Sequence, residues 1–331
     1  MNFLDDATVE KQLFPFTLTR SAADLRIGIL TIREKWQRIN QQVSIDAVPS
    51  HLLPTPAVIQ ALEQGQPVPS GAPRLEFPWH LFQYNDLALR LDFELITAGR
   101  ASQPLSSSNR VTRPEAVFLE EGARVEHCSL NASTGPIYVG HNAEIMEGSL
   151  IRGPFALCEG GVVKMGARIY GATTIGPYSV AAGEIKNAIL SGYSNKGHDG
   201  YLGDAVIGEW CNLGAGTTNS NLKNNGGEVR IFNPLTAQTG VAGRKCGLLM
   251  GDYSRSAINT SFNTGTVTGV SCNIFCEGLT PTAIPSFSWG CKGDRYAFEK
   301  ALHDIEVWKK FKNQALSSRE IQKLQHIFEH C

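Results

Sequence analysis

The sequence predicts a mainly β protein whose central part is a parallel β-helix. An aliphatic side chain recurs at every sixth position, eight times in succession: Val139, Ile145, Ile151, Leu157, Val163, Ile169, Ile175 and Ala181. Each of these hexapeptides contains glycine, never at the aliphatic position, and 27 of the 33 glycines lie between Gly122 and Gly278. A six-residue period with intervening glycine is typical of coils made from three short strands.

Each coil of such a helix has about 18 residues and sends one branched aliphatic side chain inwards from each strand. Gly and Asn allow the tight corners because both tolerate positive φ. We expect the β-helix to span about residues 115–277, in roughly eight to nine coils. Its predicted interior includes Ile145, Ile151, Val163, Ile169 and Ile175.

The six-residue period is interrupted at residues 188–206 and again at 219–248. It resumes at Ile207 and Leu213, and then near Met250, Ile258, Val270 and Ile274. Loops that break a solenoid usually lie on one face and often carry the binding site. We therefore expect two surface loops, the first of which holds the chemistry.

Apolar stripes predict helices on both sides of the β-helix. One helix is expected over residues 22–39, a short one from Pro56 after Thr55, and another over 85–98. Near the other end a second stripe comprises Phe298, Leu302, Ile305, Trp308 and Phe311. Ser317 and Glu320 then match a capping box that opens a last helix. We expect residues 1–110, 111–280 and 281–331 to form three parts.

Composition narrows the functional class. The formal net charge is −1 and no basic block occurs, which argues against a nucleic-acid partner. No apolar run is long enough for a membrane span, and the acidic start is unlike a signal peptide, so we expect a cytoplasmic protein. The eight cysteines have no metal-ligand spacing. We expect reduced, mostly buried thiols and no metal site.

A polar stretch at residues 184–221 carries the side chains suited to chemistry. Its first part contains Lys186, Lys196, His198 and Tyr201, and its second contains Asn212, Asn221 and the string Gly-Ala-Gly-Thr. An imidazole is a suitable base near neutral pH, and a lysine supplies charge for a phosphate. Hydrogen-bond donors near a carbonyl oxygen would stabilise a developing oxyanion.

The order E-x-K-N, H-x-x-Y-L-G-D-A-x-I-G and N-x-G-A-G-T-x-x-x-N resembles the acetyltransferase half of the bifunctional uridylyltransferase/acetyltransferases that make UDP-N-acetylglucosamine. The resemblance implies a left-handed β-helix, a homotrimer with active sites between subunits, and acetyl-CoA or another acyl-CoA as donor. It implies that His198 is the base and that Lys186 binds the sugar phosphate. Tyr201, Asn212 and Asn221 match sugar-contacting positions, and Arg168 is the best match to a phosphate-binding arginine. The chain departs from the family at Leu222, where the family has a tyrosine.

Two segments near the start resemble sugar-1-phosphate nucleotidyltransferases. They are Leu13-Phe-Pro-Phe-Thr-Leu-Thr-Arg20 and Pro78-Trp-His-Leu-Phe-Gln-Tyr-Asn85. The Gly-rich phosphate loop does not precede Leu13, and acidic metal ligands for phosphoryl chemistry are not found. The whole chain resembles nucleotidyltransferase-related, β-helix-containing proteins of the Bacteroidetes. We expect the N-terminal part to be a shortened relic that transfers no nucleotide.

Three functions stay open at this point. The first is an acyl-CoA-dependent acyltransferase, acting by N-acetyl transfer on an amino-sugar phosphate or a nucleotide sugar. The second is a nucleotidyltransferase-family protein that keeps only sugar-nucleotide binding. The third is a non-catalytic structural or regulatory trimer.

Overall fold

A three-sided parallel β-helix forms the centre of the chain, in a computed structural model that describes residues 1–330. Parallel pairing links each strand to the equivalent strand one coil further on. Side 1 contains Arg110–Thr112, Ser129–Asn131, Leu150–Arg152, Arg168–Tyr170, the first parts of Glu184–Gly192 and Tyr201–Glu209, Thr218–Asn219 and Ser261–Phe262. Side 2 contains Val117–Leu119, Ile137–Val139, Phe155–Leu157, Thr173–Ile175, the last parts of the same two long strands, Leu248–Met250, Thr266–Thr268 and Ala283–Ile284. Side 3 contains Arg124–Val125, Glu144–Ile145, Val162–Val163, Val180–Ala181, Asn195–Lys196, Asn212–Leu213, Arg255–Ser256 and Asn273–Ile274.

The residues at six-residue spacing fill the interior, as predicted. All eight, from Val139 to Ala181, are buried in one apolar cluster that runs along the β-helix. The five interior residues predicted by name are among them. The mainly β fold with a parallel β-helix is therefore confirmed, and it is consistent with the left-handed sense that the resemblance implies.

The interior of the later coils differs from the prediction at two positions. Val270 is buried, but it packs against the C-terminal helices outside the β-helix, and Thr268 takes the inward place. Ile258 is 70% exposed in a turn, whereas Ser256 is buried and takes the inward place. The period continues through Met250, Ser256, Phe262, Thr268 and Ile274, all of them buried. The Ser256 hydroxyl lies 2.9 Å from the Thr217 hydroxyl, so its burial is satisfied. The apolar period could not be followed in this part of the sequence because Ser256 and Thr268, which are polar, occupy inward positions.

The first predicted loop, at residues 188–206, is not a loop. The nine-residue strands Glu184–Gly192 and Tyr201–Glu209 pair in parallel through most of their length. Ile175 pairs with Leu190, 15 positions on, whereas Leu157 pairs with Ile175, 18 positions on. The phase shift therefore comes from a shorter coil, with no chain looped out.

The second predicted interruption, at 219–248, does leave the β-helix. It contains the antiparallel hairpin Arg230–Asn233 and Gln238–Val241. The hairpin packs on the N-terminal part: Gln83 donates to the carbonyl of Ala242 at 2.9 Å, and Asn233 donates to that of Lys11 at 2.8 Å. This insertion therefore connects the β-helix to the N-terminal part through hydrogen bonds.

Helices flank the β-helix at both ends of the chain. The N-terminal ones are α1 Ala7–Gln12, α2 Ile32–Asn40, α3 Pro56–Glu63, α4 His80–Gln83 and α5 Asn85–Thr97, with 3-10 turns at Ala22–Asp24 and Pro114–Ala116 and a parallel strand pair, Asn2–Leu4 with Ala47–Pro49. The C-terminal ones are α6 Phe298–Lys310 and α7 Ser318–His330. The predicted helices at Pro56 and over 85–98 are confirmed. No helix within residues 1–330 has the length and apolar character that a membrane crossing requires.

The helix predicted over 22–39 is wrong in its first half. Gly28 has a positive φ of 72°, and a Cβ there would lie 2.5 Å from the Asp92 carboxylate. That carboxylate accepts the amides of Ile29 and Leu30 at 2.7 and 3.0 Å. The competing tertiary contacts keep this stretch irregular until Thr31 caps α2.

The N-terminal part covers side 2, and the C-terminal helices cover the corner between sides 2 and 3. The outward side chains of side 2 pack against N-terminal residues such as Leu13, Phe14 and Trp79; they are Ile189, Val206, Leu249 and Val267. The predicted capping box is confirmed, because Glu320 accepts the Ser317 amide at 2.8 Å and Ser317 accepts the Glu320 amide at 3.3 Å. Side 1, its edge with side 3 and the outer face of the first strands of side 3 remain exposed or half-buried.

The expectation of reduced cysteines is wrong for one pair. Cys276 and Cys291 form a disulfide with Cα atoms 5.6 Å apart. They lie 15 residues apart in sequence, and the stacking of the last coil brings them together. Five other cysteines are free and buried: Cys128, Cys158, Cys211, Cys246 and Cys272. Cys331 lies outside the described residues.

Candidate functional site

Side 1 aligns charged and polar side chains from successive coils. Parallel pairing places Arg168 beside Glu184 and Glu184 beside Tyr201, while Lys186 pairs with Tyr170. The Tyr170 hydroxyl donates to Glu184 at 2.6 Å, and the Lys186 ammonium lies 6.0 Å from the Tyr170 ring centroid. Two cations, one carboxylate and two tyrosines thus share one outer surface, and its two cations suit an anionic group of a ligand.

A polar corner closes this surface towards side 2. Asn187 and Asp204 turn the chain with positive φ values of 49° and 47°. The Asn187 amide donates to Asp204 at 2.8 Å, and the Asn221 amide donates to Asp204 at 2.5 Å and to the Tyr201 hydroxyl at 3.1 Å. Three coils are therefore tied together beside Tyr201.

Tyr201 is held as a hydrogen-bond donor. Burial raises its pKa to about 12, and the negative charge of Asp204 acts in the same direction. Its oxygen accepts from Asn221, so the hydroxyl proton is left for another acceptor. The phenol stays protonated at neutral pH and can donate to a ligand oxygen.

His198 lies in the turn that connects side 3 to side 1, two residues after the strand Asn195–Lys196 ends. Its side chain is exposed. Gly183, in the preceding turn, has φ of 73°, and a Cβ there would lie 2.9 Å from the Cα of Asp199. Glycine at this position therefore lets the turn carrying His198 stack closely on the one before it.

The structure does not bring Asn212 to this surface. Asn212 lies on side 3, in register between Asn195 and Arg255. The five other predicted site residues lie on side 1, at its corner, or in the turn leading into it: Arg168, Lys186, His198, Tyr201 and Asn221.

Sequence reasoning missed three residues of this surface, Tyr170, Glu184 and Asp204, and it assigned no function to Lys196, which lies inside the β-helix. Tyr170 and Glu184 could have been found from the coil register, which places residues about 16 positions apart side by side. Lys196 replaces an aliphatic residue at an inward position and is 1% exposed. Its ammonium donates to the carbonyls of Ala182 at 3.1 Å and His198 at 2.8 Å.

Lys196 predicts a pH dependence of stability. Burial lowers its pKa from 10.5 to about 8, although Asp199 favours the charged form; Arg168 disfavours it. Because the unfolded chain binds the proton more tightly, the cost of the buried charge is present below pH 8 and is relieved as pH rises from 8 towards 10.5. Wild type should therefore gain up to about 3 kcal/mol over Lys196→Met across this range. Urea unfolding of both proteins at several pH values measures this, and a constant difference would contradict it.

The N-terminal motif at Arg20 is engaged by the β-helix. Arg20 forms ion pairs with Glu209 at 2.6 Å and with the buried Asp252, which also accepts from the Thr19 hydroxyl at 2.5 Å. These carboxylates hold the pKa of Arg20 above its usual range, despite burial. The guanidinium therefore acts as a structural link between the N-terminal part and the corner of the β-helix.

We expect no nucleotidyl transfer by this chain, because the Arg20 guanidinium is paired with Glu209 and Asp252 and is not free to bind a phosphate. Incubation with UTP or dTTP and a sugar 1-phosphate should release no pyrophosphate above a protein-free blank. Pyrophosphate release that scales with protein concentration would refute this expectation.

Comparisons with known proteins agree with the motifs. Residues 1–66 match the family model described as sugar nucleotidyl transferase. The bifunctional protein GlmU of Methanocaldococcus jannaschii is 32% identical over 117 residues, which is 35% of this chain and 28% of that protein. A bifunctional sugar-1-phosphate nucleotidylyltransferase/acetyltransferase of Sulfurisphaera tokodaii is 33% identical over 95 residues, or 29% of this chain and 23% of that protein.

Among solved structures, the UDP-N-acetylglucosamine acyltransferase from Campylobacter jejuni aligns with a TM-score of 0.34 and 12% identity, over 69% of this chain and 96% of that one. The alignments to the two curated relatives cover less than a third of their length. The resemblance stated from the motifs is confirmed: the chain is similar to sugar nucleotidyl transferases in its first 66 residues and, over about a third of its length, to bifunctional nucleotidyltransferase/acetyltransferase proteins.

Proposed function

We propose that the chain is an acyl-CoA-dependent acyltransferase that N-acetylates an amino-sugar phosphate or a nucleotide sugar. The observation that carries the proposal is the surface of side 1. It joins Lys186, Arg168 and Tyr201 on successive coils, with the exposed His198 in the turn that enters it. The cations suit a phosphate, and the imidazole suits a base for an attacking amine.

In this proposal His198 takes the proton from the acceptor amine as its nitrogen attacks the thioester carbonyl. Acetyl-CoA supplies the acyl group, and its thiol is the leaving group. The proton on the imidazole then passes to the departing sulfur, so that charge balances over the cycle. Tyr201 donates to an oxygen of the ligand, and Lys186 and Arg168 hold the phosphate.

A homotrimer fits the same surface. Exposed apolar side chains line the edge between sides 3 and 1, which also carries His198; Met165 is 68% and Ile258 70% exposed. Leu150, Phe275 and Leu279 lie on or beside this edge and are exposed as well. A second copy packed here would cover them and complete a cleft next to His198. We propose this assembly, in the cytoplasm, with residues 1–110, 111–280 and 281–331 as its three parts.

The proposed role of Lys186 in binding the acceptor phosphate can be tested by substitution. Lys186→Ala should mainly raise the KM for the phosphorylated acceptor, with little change in kcat, because the lost ammonium contributes binding to a group remote from the reacting amine. Steady-state kinetics with varied acceptor measures this. Lys164→Ala, which removes a half-buried lysine directly after the strand Val162–Val163, serves as the control. An unchanged KM would remove Lys186 from the phosphate site.

Sugar-nucleotide binding without catalysis is the second candidate, and the match of residues 1–66 to the sugar nucleotidyl transferase model favours it. A thermal-shift series against acetyl-CoA, UTP, dTTP and sugar phosphates separates the candidates, because a ligand that binds the folded state raises the melting temperature. Stabilisation by acetyl-CoA supports the acyltransferase. Stabilisation by a nucleotide alone supports the second candidate, and no shift with any ligand supports a structural or regulatory trimer.

A further inference from the structure

Lys196 is a charged residue in a place where the fold needs an apolar one. On side 3 the inward positions of the preceding coils hold Val125, Ile145, Val163 and Ala181, and that of the next coil holds Leu213. Lys196 occupies the position between Ala181 and Leu213 and is 1% exposed. A methionine would fill this place without burying a charge. Packing alone therefore does not account for the lysine, and its ammonium group must be considered.

The ammonium of Lys196 links two stacked turns. It donates to the carbonyl of Ala182 in one turn and to that of His198 in the next, at 3.1 and 2.8 Å. The small side chain of Ala181, which pairs with Lys196, leaves room for the lysine stem. The buried ammonium therefore binds the backbone of His198, whose imidazole is exposed on the outside of the same turn.

We propose that Lys196 is a positioning residue, which fixes the backbone of His198 from inside the β-helix. The role in catalysis rests on the proposed acyltransferase function, whereas the role in ordering the turn does not. A general base must lie within hydrogen-bond reach of the proton it takes, and a displacement of about 1 Å can lower a rate by roughly 10²-fold. Two further backbone hydrogen bonds reach this turn: the Gly216 amide donates to the carbonyl of Asp199 at 3.1 Å, and the Glu184 amide donates to that of Gly200 at 3.2 Å.

The test compares Lys196→Met, which loses both hydrogen bonds, with Leu213→Met, a size-conserving change on the same inward column. Hydrogen exchange followed by mass spectrometry reports on the amides of Glu184 and Gly216, which donate to the carbonyls of Gly200 and Asp199 in this turn, without requiring any activity. We expect Lys196→Met to exchange at least about 10-fold faster there, and Leu213→Met to exchange like wild type. Lys196→Gln, which keeps a donor on a shorter side chain, should fall between them and replaces the Met variant if that protein does not fold.

Kinetics then tests the catalytic part. In Lys196→Met, kcat for thiol release should fall by about 10-fold to 100-fold while the KM for the acyl donor stays near wild type, because the base is misplaced but the donor site is intact. Unchanged exchange at Glu184 and Gly216 overturns the proposal outright. Faster exchange with an unchanged kcat overturns the catalytic role. Faster exchange in a protein whose wild type releases no thiol keeps the ordering role and rejects the acyltransferase function, so the two failures are distinct.

Discussion

Replacing His198 by alanine is expected to lower kcat for acyl transfer by about 10²- to 10⁴-fold, the range that loss of a general base produces. The side chain is exposed in a turn, so its removal leaves no cavity in the interior. The fold and melting temperature should therefore stay near those of wild type. The measurement is thiol release from acetyl-CoA at saturating acceptor, with circular dichroism to verify the fold.

His127→Ala is the matched control for this experiment. His127 is also exposed, and it lies in the equivalent turn between side 3 and side 1, several coils earlier. It should retain the wild-type rate. Equal rates for His198→Ala and wild type would remove His198 from the mechanism, and an equal loss in both variants would indicate a general effect on this edge.

Ile151→Asp is expected to unfold the β-helix. Ile151 is 2% exposed and is paired with Ile169 and Leu130 in the adjacent coils. An unpaired carboxylate at this depth costs several kcal/mol, and because a solenoid core is continuous, the loss extends to the coils on both sides. The far-UV circular dichroism spectrum should lose its β signal, or urea unfolding should occur at much lower concentration.

Arg152→Asp is the control for this substitution, because it places the same carboxylate one residue later, on the exposed outer surface. It should keep the β signal of the wild type and change the free energy of unfolding by less than about 1 kcal/mol. A folded Ile151→Asp protein of wild-type stability would contradict the interior position of residue 151.

The interior of the β-helix was predictable because its coils repeat one geometric demand, an inward apolar side chain every sixth residue. The predictions were wrong where a contact between residues distant in sequence overrode the local pattern. Ser256 is buried with its hydroxyl bonded to Thr217, so the exposed Ile258 was taken for an interior residue. Gly28 and Asp92, 64 residues apart, hold the 22–39 stretch out of a helix, and no local pattern reveals such a contact.

The candidate site was predictable in its residue types more than in its geometry. Motif order selected Lys186, His198 and Tyr201, and the structure places them on one side or in the turn leading to it. The supposed loop at 188–206 is a short coil, so the phase shift was a loss of residues and not an insertion. Asn212 lies on another side, which only the fold of each coil into three strands determines.

The most direct test of the proposed acyltransferase function is thiol release from acetyl-CoA in the presence of glucosamine 1-phosphate and related amino sugars. The wild-type protein should release thiol in proportion to its concentration, only when an amine acceptor is present, and His198→Ala should lose about 10²-fold or more of that rate. The absence of acceptor-dependent thiol release with every amino-sugar phosphate and nucleotide sugar tested would contradict the account, and would leave ligand binding or a structural trimer in its place.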